Sequence, residues 1–330
     1  YVLDRKTGEL ISAEKYVPAN WASHVDPATS RPVETETADY DVRPQVIWPG
    51  PDGAHGWHPM SFSPDTGLVY IPAMETSMVF ALDEDFQPVV FRWNTGIDWV
   101  EMAEASIRLS QPASAGYLKA WDPINQREAW SVKLPGTFNG GVLSTAGNLV
   151  FQGTADGRLV AYAADSGEKL WEVAVNISIV APPIAYSVGG DQYLSVVAGW
   201  GGSVIIGQDA KVSPAYEYEN VGRVFTFKLG AKSPIPAPPQ KSREPAEVPT
   251  QVVSRESVAR GSRLYSDFCA VCHGAWAIGG AVTPDLRYSS QDVNDSFEAI
   301  VLGGALSHNG MVGFSDVLDA EDVEDLHAFV

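Results

Sequence analysis

Cysteine is almost absent: the 330-residue chain has two, Cys269 and Cys272, which leaves no further thiols for a Cys-rich structural zinc site. Basic residues are also scarce, with 22 Lys and Arg against 41 Asp and Glu and a net charge of −19. Such a surface repels phosphate backbones and anionic lipid and suits a cationic protein partner, so nucleic acid and membrane surfaces are poor first guesses. No apolar run approaches the roughly 18–20 residues a bilayer span requires, so no membrane span is expected. No basic-then-apolar signal opens the chain either. The first residue is Tyr1 rather than Met, YVLDRKTGELIS reads as a strand and turn already under way, and LHAFV stops within an amphipathic helix. The sequence therefore reads as an internal fragment, and a missing signal decides nothing about localisation.

Apolar residues, by contrast, make up 45% of the chain, enough to build sizeable cores. A proline-rich stretch, SPIPAPPQKSREPAEVP at 233–249, excludes helix interiors and central strands and reads as a stiff, extended linker. Before it, GLVYIPA (67–73), GNLVFQGT (147–154), RLVAYAA (158–164) and QYLSVVAG (192–199) have the pattern of short antiparallel strands between turns. After it, SVARGSRLYSDFC (257–269), SFEAIVLGGAL (296–306) and DAEDVEDLHAFV (319–330) predict helices, with TPDLR (283–287) as a loop. The expected division is 1–232 all-β, 233–253 linker, and 254–330 a small all-α domain.

Repetition sharpens the first part. AWDPINQREAW (120–130) and AYAADSGEKLW (161–171) both place Ala first and Trp eleventh, and VLDRKTGELIS (2–12) is a partial third copy ending in Ser12. A period near 40 residues fits β-propeller blades, each a four-stranded sheet that buries its faces against its neighbours. A β-sandwich with coincidental turns is the alternative. Asp4 and Asp122 occupy the turn of the repeat and are expected to cap it rather than act as a catalytic base.

The two cysteines stand in FCAVCHG, immediately before His273. Thiols three positions apart can add to both vinyl groups of one haem while the adjacent imidazole reaches its iron, so the motif predicts covalent haem c on Cys269 and Cys272. A zinc site or a thioredoxin-like pair is the alternative, and neither gives His273 a role. Met311, in SHNGMVGFSD, is the only methionine after the linker and the expected second axial ligand. His308 is its competitor and is expected to be an exposed loop residue.

The eleven-residue Ala…Gly-Glu/Lys-x-x-Trp element resembles the tryptophan-docking motif of the pyrroloquinoline quinone (PQQ) dependent alcohol dehydrogenases. There the indole packs between adjacent blades, so Trp130 and Trp171 are expected to be structural. GAHGWHPMSF (53–62), FNGGVLSTAGNLVFQGTADG (138–157) and VVAGWGGSV (196–204) strengthen the resemblance. With the haem motif they point to the soluble quinohaemoprotein branch, in its C-terminal portion. The implied fold is part of an eight-bladed propeller followed by a cytochrome c domain whose C-terminal end is cut short. In cytochromes of this kind the methionine ligand is usually followed by Pro, where this chain has Val312.

The resemblance implies oxidation of an alcohol to an aldehyde or ketone with PQQ and Ca²⁺, internal electron transfer to the haem iron, and delivery to an external acceptor such as a small redox protein. It also implies a periplasmic location. The general base, the Ca²⁺ ligands, a basic residue on the quinone and a Cys-Cys disulfide would all precede Tyr1, so no catalytic residue is named in this chain. GAHGWH (53–58) resembles the family's GAHNWH, whose Asn-Trp pair contacts the quinone, so Gly56 and Trp57 carry over as PQQ-binding positions, with Gly56 lacking the amide. Trp57 is alternatively one more packing indole, and a metal site on His55 and His58 lacks neighbouring ligands. Trp200, in the GWGG at 199–202, is a further PQQ-binding candidate, with a plain tight turn as the alternative. Residues 1–330 alone are expected to aggregate through open sheet edges and to oxidise no alcohol. The rival reading is an electron-transfer or carrier protein with a degenerate propeller.

Overall fold

In the computed structural model the described residues are 1–92, 94–200, 212–241, 253–274, 277 and 283–330. They fall into two units, one comprising Tyr1–Asp85, Gly96–Trp200 and 212–239, the other Phe86–Thr95 and Gln240–Val330. The division places Phe86–Thr95 with the C-terminal unit, although in sequence it lies among the β-rich residues.

The first unit is built of antiparallel strands. The first five are β1 (Val2–Leu3), β2 (Leu10–Ser12), β3 (Ala22–Asp26), β4 (Arg31–Glu34) and β5 (Gln45–Ile47). They are followed by β6 (Ser61–Ser63), β7 (Leu68–Glu75), β8 (Met78–Phe80), β9 (Ala115–Asp122) and β10 (Arg127–Leu134). Then come β11 (Val142–Thr145), β12 (Leu149–Gly153), β13 (Arg158–Ala163), β14 (Lys169–Ala174), β15 (Ile184–Val188), β16 (Asp191–Ala198) and β17 (Arg223–Lys228). Two four-stranded sheets, in the orders β10-β9-β7-β6 and β11-β12-β13-β14, are followed by a third of order β15-β16-β17. Between the first two sheets lie Tyr70, Leu118, Val150, Val160 and Tyr162, and between the second and third lie Leu159, Val175, Ile179 and Val196. The cores thus lie between sheets, as stacked propeller blades require. Strand β13 is buried on both faces, which explains its nearly unbroken apolar run.

The three repeat copies share one turn. Gly8 N–H donates to the Asp4 carbonyl at 2.8 Å and Asp4 N–H to the Glu9 carbonyl at 2.9 Å; Gly167 to Ala163 at 2.9 Å and Ala163 to Glu168 at 2.8 Å repeat the pair at the same offsets. The same repeat position is left-handed in all three, with φ +76° at Gly8, +73° at Gly167 and +52° at Gln126. Gln126 lacks glycine's freedom, and its side-chain amide donates to the Pro123 carbonyl at 2.6 Å.

Trp130 docks one blade on the next: its Nε1–H donates to the Ala164 carbonyl at 3.1 Å, which also accepts the Tyr70 hydroxyl at 2.9 Å. Trp171 meets Phe227 of β17 edge-on at 5.8 Å. Among the helices, α1 (Trp99–Arg108) interrupts the β-rich region, capped by Asp98, whose carboxylate accepts the N–H groups of Val100 and Glu101. Its signal, Asp98 three positions before Glu101, is a helix start that periodicity alone overlooks.

The second unit contains α2 (Arg255–Leu264), a π-helical turn at Tyr265–Cys269, α3 (Ala270–His273), α4 (Gln291–Asp295), α5 (Phe297–Val301) and α6 (Ala320–Phe329). Helices α2 and α6 cross closely at Gly261, where a Cβ would stand 1.9 Å from the Asp325 carbonyl oxygen. The buried Asp325 carboxylate is held by Ser257 and by Arg260, whose Nη2 lies 2.9 Å away. Helix α5 is shorter than the sequence suggests: Gly304, at φ +64°, ends the run that SFEAIVLGGAL predicts. The expected linker falls partly in 242–252, outside the described residues.

Candidate functional site

The FCAVCHG motif leaves the π-helical turn and enters α3. A widened helical turn is a recurrent feature of functional sites. Cys269 and Cys272 are both free thiols, the first partly buried and the second exposed. Burial and the neighbouring Cys272 push the Cys269 thiol up to about 12. A redox pair of the thioredoxin kind works through a lowered thiol pKa, so Cys269 lacks its defining property.

His273 is buried, and its Nδ1 has no hydrogen-bond partner. Burial lowers its pKa, and the Pro284 carbonyl opposes this. The neutral imidazole is the form that ligates a metal. Thr283 Oγ1 donates to the Cys272 carbonyl at 2.7 Å, which ties the following loop to α3.

Cys269 and Met311 pack against one apolar cluster that includes Tyr265, Phe268, Val301 and Phe314. His308 stands in the exposed turn Ser307–Asn309. The structure therefore brings thioether, thiol and imidazole into one unit and leaves His308 at the surface. Two thiols, a buried imidazole with an unsatisfied ring nitrogen and an apolar lining form a donor set that fits haem c.

The β-sheet unit holds a second group. Trp57 stacks on His58 at 4.1 Å, His58 meets Phe138 edge-on at 4.4 Å, and Phe138 meets Trp200 edge-on at 6.1 Å. Phe138 thus joins the two tryptophans singled out from sequence. Trp57 is 62% exposed, whereas Trp200 is buried. The Asn220 amide fixes the Trp200 backbone with two hydrogen bonds of 2.8 Å. His58 is 2% exposed with Nε2 unpartnered, and burial, then the nearby His55, lowers its pKa to about 4. His55 places Nδ1 3.1 Å from the Pro72 carbonyl oxygen. Gly56 has room for a side chain: an added Cβ would meet His58 Nδ1 and Met74 Cε at 3.7 Å. Gly201 and Gly202 lie outside the described residues.

Asp4 accepts the N–H groups of Lys6 and Thr7, and Asp122 those of Ile124 and Asn125. Both carboxylates are held below their usual range by these turns, Asp122 first by the Asn125 side chain. Sequence reading passed over His58, as a possible metal ligand only, and Phe138, which sits amid small residues. The His58 signal was its place beside Trp57; Phe138 had none, because its role depends on contacts far apart in the chain. Among the described residues no group of three or more His, Cys, Asp or Glu is arranged to hold a metal ion.

Two family models match. One, described as the beta-propeller domain of glucose/ethanol/alcohol dehydrogenase, covers residues 96–194. The other, described as cytochrome c oxidase, cbb3-type, subunit III, covers 256–330. The whole chain aligns at 43% identity with 47% of a quinohaemoprotein alcohol dehydrogenase, ADH IIB, of Pseudomonas putida. It superposes with a TM-score of 0.88, at 37% identity, on 49% of the quinohaemoprotein alcohol dehydrogenase ADHIIG of the same species. The corresponding enzyme of Comamonas testosteroni gives 0.83 at 37% identity, over all of this chain and 48% of that one. The chain spans about half the length of the relatives it matches.

Proposed function

Related along its whole length to the quinohaemoprotein alcohol dehydrogenases, the chain is, we propose, the C-terminal, haem-bearing portion of an enzyme that oxidises alcohols to aldehydes or ketones. The proposed division is 1–232 propeller blades, 233–253 linker and 254–330 cytochrome c domain. The observation that carries the reading is the packing of Cys269 and Met311 against one apolar cluster in the unit where His273 is buried.

Bound PQQ, assisted by Ca²⁺, supplies two-electron oxidation of the carbinol, and haem c supplies one-electron carriage. In this chain Cys269 and Cys272 would hold the haem covalently, and His273 and Met311 would ligate its iron. The thioether raises the potential relative to a second imidazole, which favours acceptance of electrons. The apolar cluster of Tyr265, Phe268 and Phe314 would give a bound haem an apolar surround that supports a raised potential.

Trp57, exposed and backed by His58, would hold PQQ, with Phe138 and Trp200 completing the aromatic group. Gly56 offers backbone only. The general base and Ca²⁺ ligands come from residues outside this chain. A net charge of −19 favours a basic redox protein as electron acceptor through faster encounter. Covalent haem attachment favours a periplasmic location, since in bacteria it occurs on that side of the membrane.

The test uses the complete dehydrogenase polypeptide. Its haem spectrum is recorded before and after a primary alcohol is added, with and without PQQ. PQQ-dependent reduction of the haem by alcohol is expected. A haem that dithionite reduces but a broad panel of alcohols leaves oxidised would overturn the dehydrogenase reading in favour of an electron carrier.

A further inference from the structure

Phe86–Thr95 leaves the β-sheet unit and returns to it, with the base of the excursion closed by Asp83 N–H donating to the Gly96 carbonyl at 3.0 Å. Its packed residues nevertheless belong to the helical unit. Val89 joins the apolar cluster that contains Cys269 and Met311. Arg92 Nη2 lies 3.1 Å from Asp267 Oδ1, with about 30% of each side chain exposed. Asp267 sits in the π-helical turn, two residues before Cys269. Phe91 meets Phe314 edge-on at 6.1 Å, and Phe314 meets Phe268 edge-on at 6.2 Å. Phe314 is three residues beyond Met311, and Phe268 immediately precedes Cys269. The excursion therefore touches both segments assigned to the haem, the attachment turn and the methionine loop.

Its conformation is built for this. Phe91 has φ +62°, a left-handed backbone that a bulky residue keeps only where its surroundings over-determine it. Asn94 supplies the determination: its Oδ1 accepts the Val89 N–H at 2.9 Å, and its Nδ2 donates to the carbonyls of Val89 at 2.9 Å and Arg92 at 3.0 Å. One side chain thus locks a tight turn that presents Phe91 and Arg92 together.

Resting on the haem reading above, we propose that Phe91 and Arg92 are positioning residues for the haem, Arg92 by neutralising and orienting Asp267 beside the attachment motif, Phe91 by bracing the Met311 loop through Phe314. Charge sets the first effect. A carboxylate left unpaired near the haem stabilises the ferric, more positive state and lowers the midpoint potential. Packing sets the second, because a loop that loses its brace lets an external ligand replace the thioether more readily.

The test uses the complete haem-loaded protein and the variants Arg92→Gln, Arg92→Lys, Asp267→Asn, the double variant Arg92→Gln/Asp267→Asn, and Phe91→Ala. A pyridine haemochrome spectrum comes first, since a wild-type chain without covalent haem refutes the haem reading itself. With haem present, Arg92→Gln lowers the midpoint potential, Arg92→Lys keeps it, and the double variant returns it toward the wild-type value. Phe91→Ala raises the affinity of the ferric haem for added imidazole several-fold. Equal potentials in wild type, Arg92→Gln and the double variant, together with unchanged imidazole affinity in Phe91→Ala, would overturn the proposal. A shift of the same size in Arg92→Gln and the double variant would also overturn the pairing of Arg92 with Asp267, because a merely structural defect is not rescued by removing the carboxylate.

Discussion

Gly167 lies flat against the indole of Trp130: a Cβ added there would stand 2.6 Å from Cε3 and 2.9 Å from Cδ2. The glycine of one repeat and the tryptophan of the preceding one are therefore two halves of a single joint between blades. Gly167→Ala should destabilise the protein by about 2–4 kcal/mol, from a left-handed alanine together with an overpacked ring. Gly8→Ala is the control, because Gly8 has the same conformation and nothing within 4 Å of an added Cβ. It should cost only about 1–2 kcal/mol. Denaturant unfolding of the complete protein measures both.

Gln126 holds the left-handed position that glycine holds in the other two copies. Replacing it by Gly should raise stability by about 0.5–1 kcal/mol, while Gln126→Val should lower it by about 1–2 kcal/mol. A melting series ranking Gly above Gln above Val checks the order, and Val at or above Gln would contradict it.

His58 gives acid sensitivity with a definite sign. Its folded pKa, about 4, lies below the ordinary histidine value of 6.5, so the unfolded chain binds its proton more readily. The contribution of neutral His58 to stability is therefore intact above about pH 6.5 and is lost as pH falls toward 4, by up to about 3 kcal/mol. Comparing wild type with His58→Gln by urea unfolding between pH 7 and pH 4 should show the two curves converging on acidification.

Met311 and His308 can be separated spectroscopically. Met311→Ala should abolish the thioether–iron charge-transfer absorption and lower the haem potential, while His308→Ala leaves both unchanged. The reverse pattern would transfer the ligand role to His308.

Local order was largely legible. The strand-turn-strand of each repeat follows from a left-handed turn residue and flanking apolar residues within eleven positions. The Cys269–His273 motif fits a short helix because its spacing is that of consecutive turns. Helix α5 ends sooner than its sequence suggests, because GG reads equally as an interruption or an end and only the left-handed Gly304 decides between them.

The chain order of residues by itself determined the β-rich repeats, the proline-rich break, the helical end and the Cys-x-x-Cys-His spacing, since each depends on residues close together in sequence. Only the tertiary structure decided that Phe138 joins Trp57 to Trp200, that Met311 packs against the same apolar cluster as Cys269 while His308 is exposed, and that Phe86–Thr95 packs with the helical unit. Those relationships rest on burial and packing between segments tens to hundreds of residues apart, and no local pattern encodes which distant surface a side chain will meet.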